Sequence, residues 1–201
     1  MIKRVFDVAA AGLGLLLLSP VLAIVALVVR FRIGRPVLFR QQRSGLGGEP
    51  FDILKFRSML DTRGPDAELL PDDQRQSTIG SMLRKYSLDE FPALLNVLRG
   101  EMSVVGPRPF IHDYWELYTP EQARRCEVRP GITGWAQING RNELTWEQKF
   151  DLDVWYVDHR SLWLDVKILA ATIGKVLRGE GISSAGTTTA PRFTGTPVDE
   201  S

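Results

Sequence analysis

Cysteine and histidine are almost missing from this 201-residue sequence: Cys126 stands alone, and His112 and His159 are the only histidines. A single cysteine excludes an intramolecular disulfide framework and suits a reducing compartment. The run Arg124-Arg125-Cys126-Glu127 offers no neighbouring histidine as a base, so cysteine catalysis is not supported. Neither histidine has metal-ligand spacing, which removes a zinc site. An excess of either charge is missing too, with 25 Lys and Arg against 24 Asp and Glu. Composition therefore gives no reason to expect nucleic acid or a strongly acidic partner. Neither a Walker loop nor a dinucleotide-binding glycine pattern occurs, and no internal repeat appears. The length suits one well-packed domain with an appendage.

What is present begins with the longest uncharged run, the 22 residues from Val8 to Val29. About 20 apolar residues suffice to cross a bilayer as a helix. A cleaved signal is a poorer fit, because the run is too long and no small-residue cleavage site precedes a polar start. Two details argue against a simple span. Ser19-Pro20 falls in the middle, where proline removes a backbone hydrogen bond and kinks a helix. Basic residues flank both ends, Lys3 and Arg4 before and Arg30, Arg32 and Arg35 after. Positive charge marks the cytoplasmic side, so both ends are expected there, in a re-entrant helix–break–helix hairpin. An ordinary spanning helix with a tolerated proline is the alternative.

Further on, strand-like runs at Pro36–Phe39 and Phe51–Phe56 are separated by Gly45, Gly47, Gly48 and Pro50. A polar surface loop is expected over residues 63–76, with short helices at Ile79–Tyr86 and Phe91–Leu98. Another helix is expected at Tyr114–Val128, with Glu121, Arg124 and Arg125 on its wet face. Trp135–Arg141 reads as a turn-rich segment, either a ligand-approaching loop or a plain connection. Trp146–His159 and Leu162–Arg178 have amphipathic spacing. In the second, the stripe Leu162, Val166, Leu169, Ile173, Val176, Leu177 reads as core by default. The grouping of Trp146, Trp155, Tyr156 and Trp163 makes a position on the bilayer surface an equal alternative.

The most informative residues are Asp89 and Glu90, in Ser87-Leu88-Asp89-Glu90-Phe91-Pro92. Proline is tolerated only in the first helical turn, so a helix is expected to begin near Leu88 or Asp89. Its free N–H groups and dipole favour anions, leaving both acids ionised, hence nucleophilic or metal-binding, with a phosphate welcome beside them. Ser87 and Glu90 also fit a plain capping box. Basic residues recur nearby: Lys55 and Arg57 in Lys-Phe-Arg-Ser-Met, Arg84 and Lys85 before the acids, Arg108 between Pro107 and Pro109, and Arg141 closing Gln137-Ile138-Asn139-Gly140-Arg141. Prolines on both sides fix the backbone and aim the guanidinium, which suits bidentate phosphate recognition. Singly each is an ordinary surface charge; jointly with two carboxylates they suggest a site for a diphosphate, held by side chains and a divalent ion.

In these segments the chain resembles the monotopic phosphoglycosyl transferases, the bacterial sugar transferase family. The likeness runs through the Ser19-Pro20 hydrophobic segment, Lys55–Met59, Ser87–Pro92, Asn96–Ser103, Val104–Pro109, Arg129–Gly134 and Gln137–Arg141. It implies an α/β, mostly helical fold. The parts would be a re-entrant membrane hairpin over residues 1–34, a small cytoplasmic catalytic domain with membrane-surface helices over 35–180, and a flexible tail over 181–201. It also implies transfer of a sugar-1-phosphate from a UDP-sugar to undecaprenyl phosphate at the cytoplasmic face of a bacterial inner membrane, ahead of downstream glycosyltransferases. Asp89 would match the nucleophile, and Glu90, with Asp89, would bind Mg²⁺. Lys55, Arg57, Arg84, Arg108, Gln137 and Arg141 would match phosphate- or nucleotide-binding positions, while Ser19 and Pro20 would match the structural hairpin break. The chain looks like a minimal, catalytic-core member, and its tail loosely resembles members using N-acetylated amino sugars, diverging over residues 187–192. A nucleotide-sugar diphosphate hydrolase would use the same residues with water as acceptor. A non-enzymatic membrane scaffold would leave the acid pair and Pro-Arg-Pro unexplained.

Overall fold

The structure, a computed structural model, describes residues 1–140, 143–178 and 192–196, apart from the side chains of residues 73 and 177. Its first element, α1 (Ile2–Arg32), is 31 residues long. Among the described residues it is the one helix long and apolar enough to cross a membrane. The expected helix–break–helix is a single helical element that continues through Pro20. Pro20 cannot donate to the carbonyl of Leu16, four residues back, and the Ser19 hydroxyl donates to that carbonyl instead, at 2.8 Å. The serine–proline pair therefore keeps the backbone satisfied where a break was expected.

One face of α1 is buried at Asp7, Ala11, Val25 and Val29, near helical spacing over its length. The other exposes Leu13, Leu16, Leu17, Ile24, Leu27 and Phe31. Both ends are fixed to the same body. At the start, Lys3 pairs with Asp165 at 2.6 Å, and Arg4 donates to the carbonyls of Val97 (2.6 Å) and Leu98 (3.0 Å). Both carbonyls lie in the last turn of α3 (Leu94–Arg99), where Val97 also accepts from the Gly100 amide, so Arg4 adds a charged donor to that helix end from outside. At the far end Val25, Val29 and Ile33 pack with Phe56 and Leu83.

β1 (Leu38–Ser44) and β2 (Pro50–Phe56) form an antiparallel hairpin registered from Leu38↔Phe56 to Ser44↔Pro50. β2 is tied to α3 by Asn96, which is fully buried. Its Oδ1 accepts from the Leu54 amide at 3.0 Å, and its Nδ2 donates to the Asp52 carbonyl at 2.8 Å. The side chain thus substitutes for a neighbouring strand and satisfies polar groups that burial would otherwise penalise.

A second pair, β3 (Ser103–Val105) and β4 (Gly131–Thr133), is parallel. The backbones approach so closely that a Cβ on Gly131 would lie 2.1 Å from the Gly106 nitrogen and 2.4 Å from the Thr133 oxygen. Gly131→Ala is expected to cost about 1–3 kcal/mol through forced backbone shifts, read as a lowered thermal midpoint. α6 (Trp146–His159) and α7 (Leu162–Arg178) follow as expected. The main core gathers Ile53, Leu94, Val97, Met102, Val105, Tyr156 and Ile168 between these elements and α1. Among the described residues the architecture is mostly helical with two small sheets.

Several expectations are corrected. Tyr114–Val128 is not one helix. A 3₁₀ turn (His112–Leu117) is followed by α4 (Pro120–Ala123) and a second 3₁₀ turn (Arg124–Glu127), because Pro120 starts a new helix under a Thr119–Gln122 capping box. Arg125 is not on a wet face but 2 % exposed. Trp135–Ile138 forms α5 rather than only turns. The loop over 63–76 contains a 3₁₀ turn, Asp72–Arg75, and a bridge between Arg63 and Leu69. The aromatic group divides: Tyr156 is core, Trp146 packs against Phe110 and Phe150, and only Trp163 is largely exposed. On α7 the apolar stripe faces outward at Leu162, Val166 and Ile173, while Asp165 and Ile168 are buried. The tail lies outside the described residues except at 192–196, where Phe193 is buried against Tyr114 and Phe150.

Candidate active site

Asp89 and Glu90 sit in the first turn of a 3₁₀ segment, Leu88–Ala93, that leads into α3. Ser87 launches it with a left-handed backbone (φ 52°) and makes no side-chain cap, so the capping-box reading is set aside. The strained conformation turns the chain sharply between α2 (Thr78–Lys85) and the acids.

Glu90 is clamped. Its Oε1 accepts from Lys55 Nζ at 2.8 Å and Arg108 Nη2 at 2.6 Å, and its Oε2 from Arg108 Nη1 at 3.4 Å. Lys55 comes from the end of β2, and Arg108 from the turn after β3. Burial works to raise the Glu90 carboxyl, but Arg108 and Lys55 overcome it and hold the acid well below the usual range. Asp89 behaves in the opposite way. It is 8 % exposed, none of the described hydrogen bonds ends on its carboxylate, and burial followed by the Glu90 charge pushes it above the ordinary 3.8. Lys55, Arg84 and Arg108 offset part of that rise through their charges. Two adjacent acids are thus driven apart, one locked as an ion and one left with unbonded oxygens and raised basicity. Such divergence separates catalytic roles.

A small cavity of about 50 Å³, open at its mouth, adjoins Glu90 and is lined by Arg43, Lys55, Glu90, Arg108, Gly131 and Ile132, among others, while Asp89 is not in its lining. Of the expected site residues, the structure brings Glu90, Lys55 and Arg108 to the cavity, with Asp89 next to Glu90 and within reach of their charges. Arg84 stands beside them, its Nε donating to Ser58 Oγ at 2.9 Å. Arg57 is turned elsewhere, toward Asp61 at 3.5 Å and the Arg35 carbonyl. Gln137 is not in the lining but donates to the carbonyl of Ile132, which is, at 3.0 Å. Arg141 lies outside the described residues.

Two features were not anticipated. Arg43 enters the cavity from β1, where nothing in its polar surroundings, Gln41-Gln42-Arg43-Ser44, sets it apart. Arg125 is buried on Asp153 at 2.6 Å, with its guanidinium 4.0 Å from the Phe110 ring centroid, and donates to the Arg108 carbonyl at 2.6 Å. Its signal was Asp153, an acid on the same helical face as Phe150, Val154 and Val157.

If Asp89 must be ionised to act, activity falls as pH drops through its raised pKa, so the acid limb of kcat/KM is expected above pH 3.8. Removing the Glu90 charge takes away one cause of the rise and frees two cations to favour the anion. The residual activity of Glu90→Gln should therefore show its acid limb at lower pH than wild type. A limb that stays in place or moves upward would detach it from Asp89.

Comparison with known proteins places these residues in context. The family model described as bacterial sugar transferase matches residues 1–179. An uncharacterised sugar transferase, EpsL, of Bacillus subtilis (strain 168) is 55 % identical over 195 residues, covering 97 % of this chain and 96 % of that one. A UDP-glucose:undecaprenyl-phosphate glucose-1-phosphate transferase of Caulobacter vibrioides is 45 % identical over 185 residues, covering 87 % and 69 %. Its counterpart by name in Escherichia coli (strain K12) is 42 % identical, covering 87 % of this chain and 40 % of that protein.

Proposed function

The chain belongs to the bacterial sugar transferase family and is a phosphoglycosyl transferase; we propose that it moves a sugar-1-phosphate from a UDP-sugar to undecaprenyl phosphate through a covalent Asp89 intermediate. The observation that carries this reading is the contrast within the acid pair, with Glu90 clamped by Lys55 and Arg108 and Asp89 left unbonded. An Asp89 oxygen attacks the sugar-side phosphorus of the diphosphate, the bond to the bridging oxygen breaks, and UMP departs with that oxygen. The sugar phosphate is then an acyl phosphate on Asp89. An oxygen of the lipid phosphate attacks the same phosphorus, Asp89 leaves as carboxylate, and a polyprenyl diphosphate sugar results. Lys55 and Arg108 face charge that develops on the transferring phosphoryl group.

Mg²⁺ fits the donor set. It is a hard cation usually bound by one or two carboxylates together with substrate phosphates, and the unbonded oxygens of Asp89, with Glu90 Oε2 held only by a 3.4 Å contact from Arg108, are of that kind. Once bound, it would draw charge from the diphosphate.

The apolar helix, mostly uncovered by the rest of the chain, supports a membrane protein. That both ends of α1 touch one body argues against a simple span, which would separate them across the bilayer, and a bend at Pro20 within the one helical element would make its path re-entrant. The outward stripe of α7 and exposed Trp163 suit an interfacial position beside it. The arginines flanking α1 favour the cytoplasmic face of an inner membrane.

The test is UMP release in detergent with Mg²⁺ from UDP-glucose, UDP-galactose and UDP-N-acetylated sugars, with and without undecaprenyl phosphate. Release that needs both one donor and the lipid is expected. Release without lipid would make the protein a hydrolase, and none from any donor would remove the UDP-sugar reading.

A further inference from the structure

The cations of the cavity are not equivalent. Lys55 and Arg108 both end on Glu90. Arg43, on the same cavity wall, makes no described ion pair with a carboxylate. Its Nη1 donates to the Pro109 carbonyl at 3.3 Å and its Nη2 to Gln41 Oε1, both neutral acceptors, and its Nε is buried without any partner.

A part-buried guanidinium with neutral acceptors on one side and a buried orphan N–H on the other is costly for a fold to keep. Burial first, then the neighbouring Arg108 charge, lowers its pKa to about 10, so it is still a cation near neutral pH. The cost is offset if an anion completes the site. The planar edge carrying Nε suits paired hydrogen bonds to phosphate oxygens.

We propose that Arg43 is a donor-binding residue of this cavity, contacting a phosphate oxygen of the nucleotide diphosphate with the charge that Glu90 leaves free. The assignment rests on the transferase reading above. It differs in role from Lys55 and Arg108: Arg43 binds the incoming anion, whereas those two must share themselves between Glu90 and the phosphates. Its grip on the Pro109 carbonyl holds it beside Arg108 as the ligand arrives.

The test titrates UDP with Mg²⁺ into the full-length protein in detergent, by calorimetry, for wild type, Arg43→Gln, Arg43→Lys and Gln41→Glu. Arg43→Gln is expected to weaken UDP at least tenfold and Arg43→Lys by less. Gln41→Glu is the discriminating variant, because it hands Arg43 a carboxylate partner. A purely structural Arg43 would be held more firmly, with a raised thermal midpoint and unchanged UDP affinity. A donor-binding Arg43 is neutralised, and affinity drops severalfold in a protein that remains folded. If Arg43→Gln does not fold, Gln41→Glu decides. UDP affinity within twofold of wild type in the folded variants overturns the assignment, as does an effect confined to the KM for undecaprenyl phosphate. Inorganic pyrophosphate separates the inference from its premise. Arg43-dependent pyrophosphate binding by a wild type that ignores UDP keeps the anion site and removes the uridine donor. A wild type that binds neither removes both.

Discussion

Asp89→Asn is expected to lower kcat for UMP release on the order of 10³-fold or more, the scale seen when a covalent nucleophile is removed, while leaving the thermal midpoint unchanged or higher. The second half follows from the sign of the pKa shift. An acid whose folded pKa is raised is one whose charge the fold disfavours, so above that pKa ionised Asp89 subtracts from stability, and the loss is lifted as pH falls through it. Asparagine removes the charge at every pH and keeps the shape. Function and stability thus pull in opposite directions at this position. A variant that keeps wild-type turnover would remove Asp89 as the nucleophile. One that loses both turnover and stability would make the residue structural.

The largest stability effect is expected at Arg125. Truncating it to alanine leaves Asp153, 1 % exposed, without its partner, and strips the Arg108 carbonyl of its donor. Breaking a buried pair on one side costs about 3–5 kcal/mol, or roughly 6–20 °C in thermal midpoint for a chain of this size. The companion experiment is Arg125→Met with Asp153→Leu. Replacing both charges by apolar groups is often near neutral in stability, so the double variant should recover much of the loss. Its UMP release should stay low, because Arg108 loses the guanidinium that fixed its backbone between two prolines. A single variant within about 1 kcal/mol of wild type, the range of exposed pairs, would show that the pair is not carrying that segment.

How far the sequence reached depended on whether the cause was local. The hairpin strands and the two long C-terminal helices were legible because period and turn residues announce them. Asp89 and Glu90 were legible from their adjacency and the following proline, and Arg108 from its flanking prolines. The three-residue strands β3 and β4 were not, since they are too short for a period and pair across 28 positions (103 to 131). Ser87 and Glu90 met the capping pattern, yet the capping geometry is absent, because Lys55 and Arg108 offer Glu90 stronger charged donors. The break at Pro20 was inferred from a missing donor without the hydroxyl beside it that serves the same carbonyl. Arg43 and Arg125 are arginines among other arginines, and only the folded chain shows which are enclosed.

The first 32 residues are not a tether from which a separate catalyst hangs. Ala11 lies in the main core with Val97 and Val105, and Val29 lies in a second core with Phe56 and Leu83. A chain cut after Arg32 would therefore present two uncovered apolar surfaces and leave Asp165 and the end of α3 without Lys3 and Arg4. Solubilising this protein by deletion should yield an aggregate, not an active fragment. Whatever amphiphile surrounds the outer face of α1 acts as a ligand of the folded state and shifts its unfolding equilibrium, so lipid composition becomes a variable of catalyst stability.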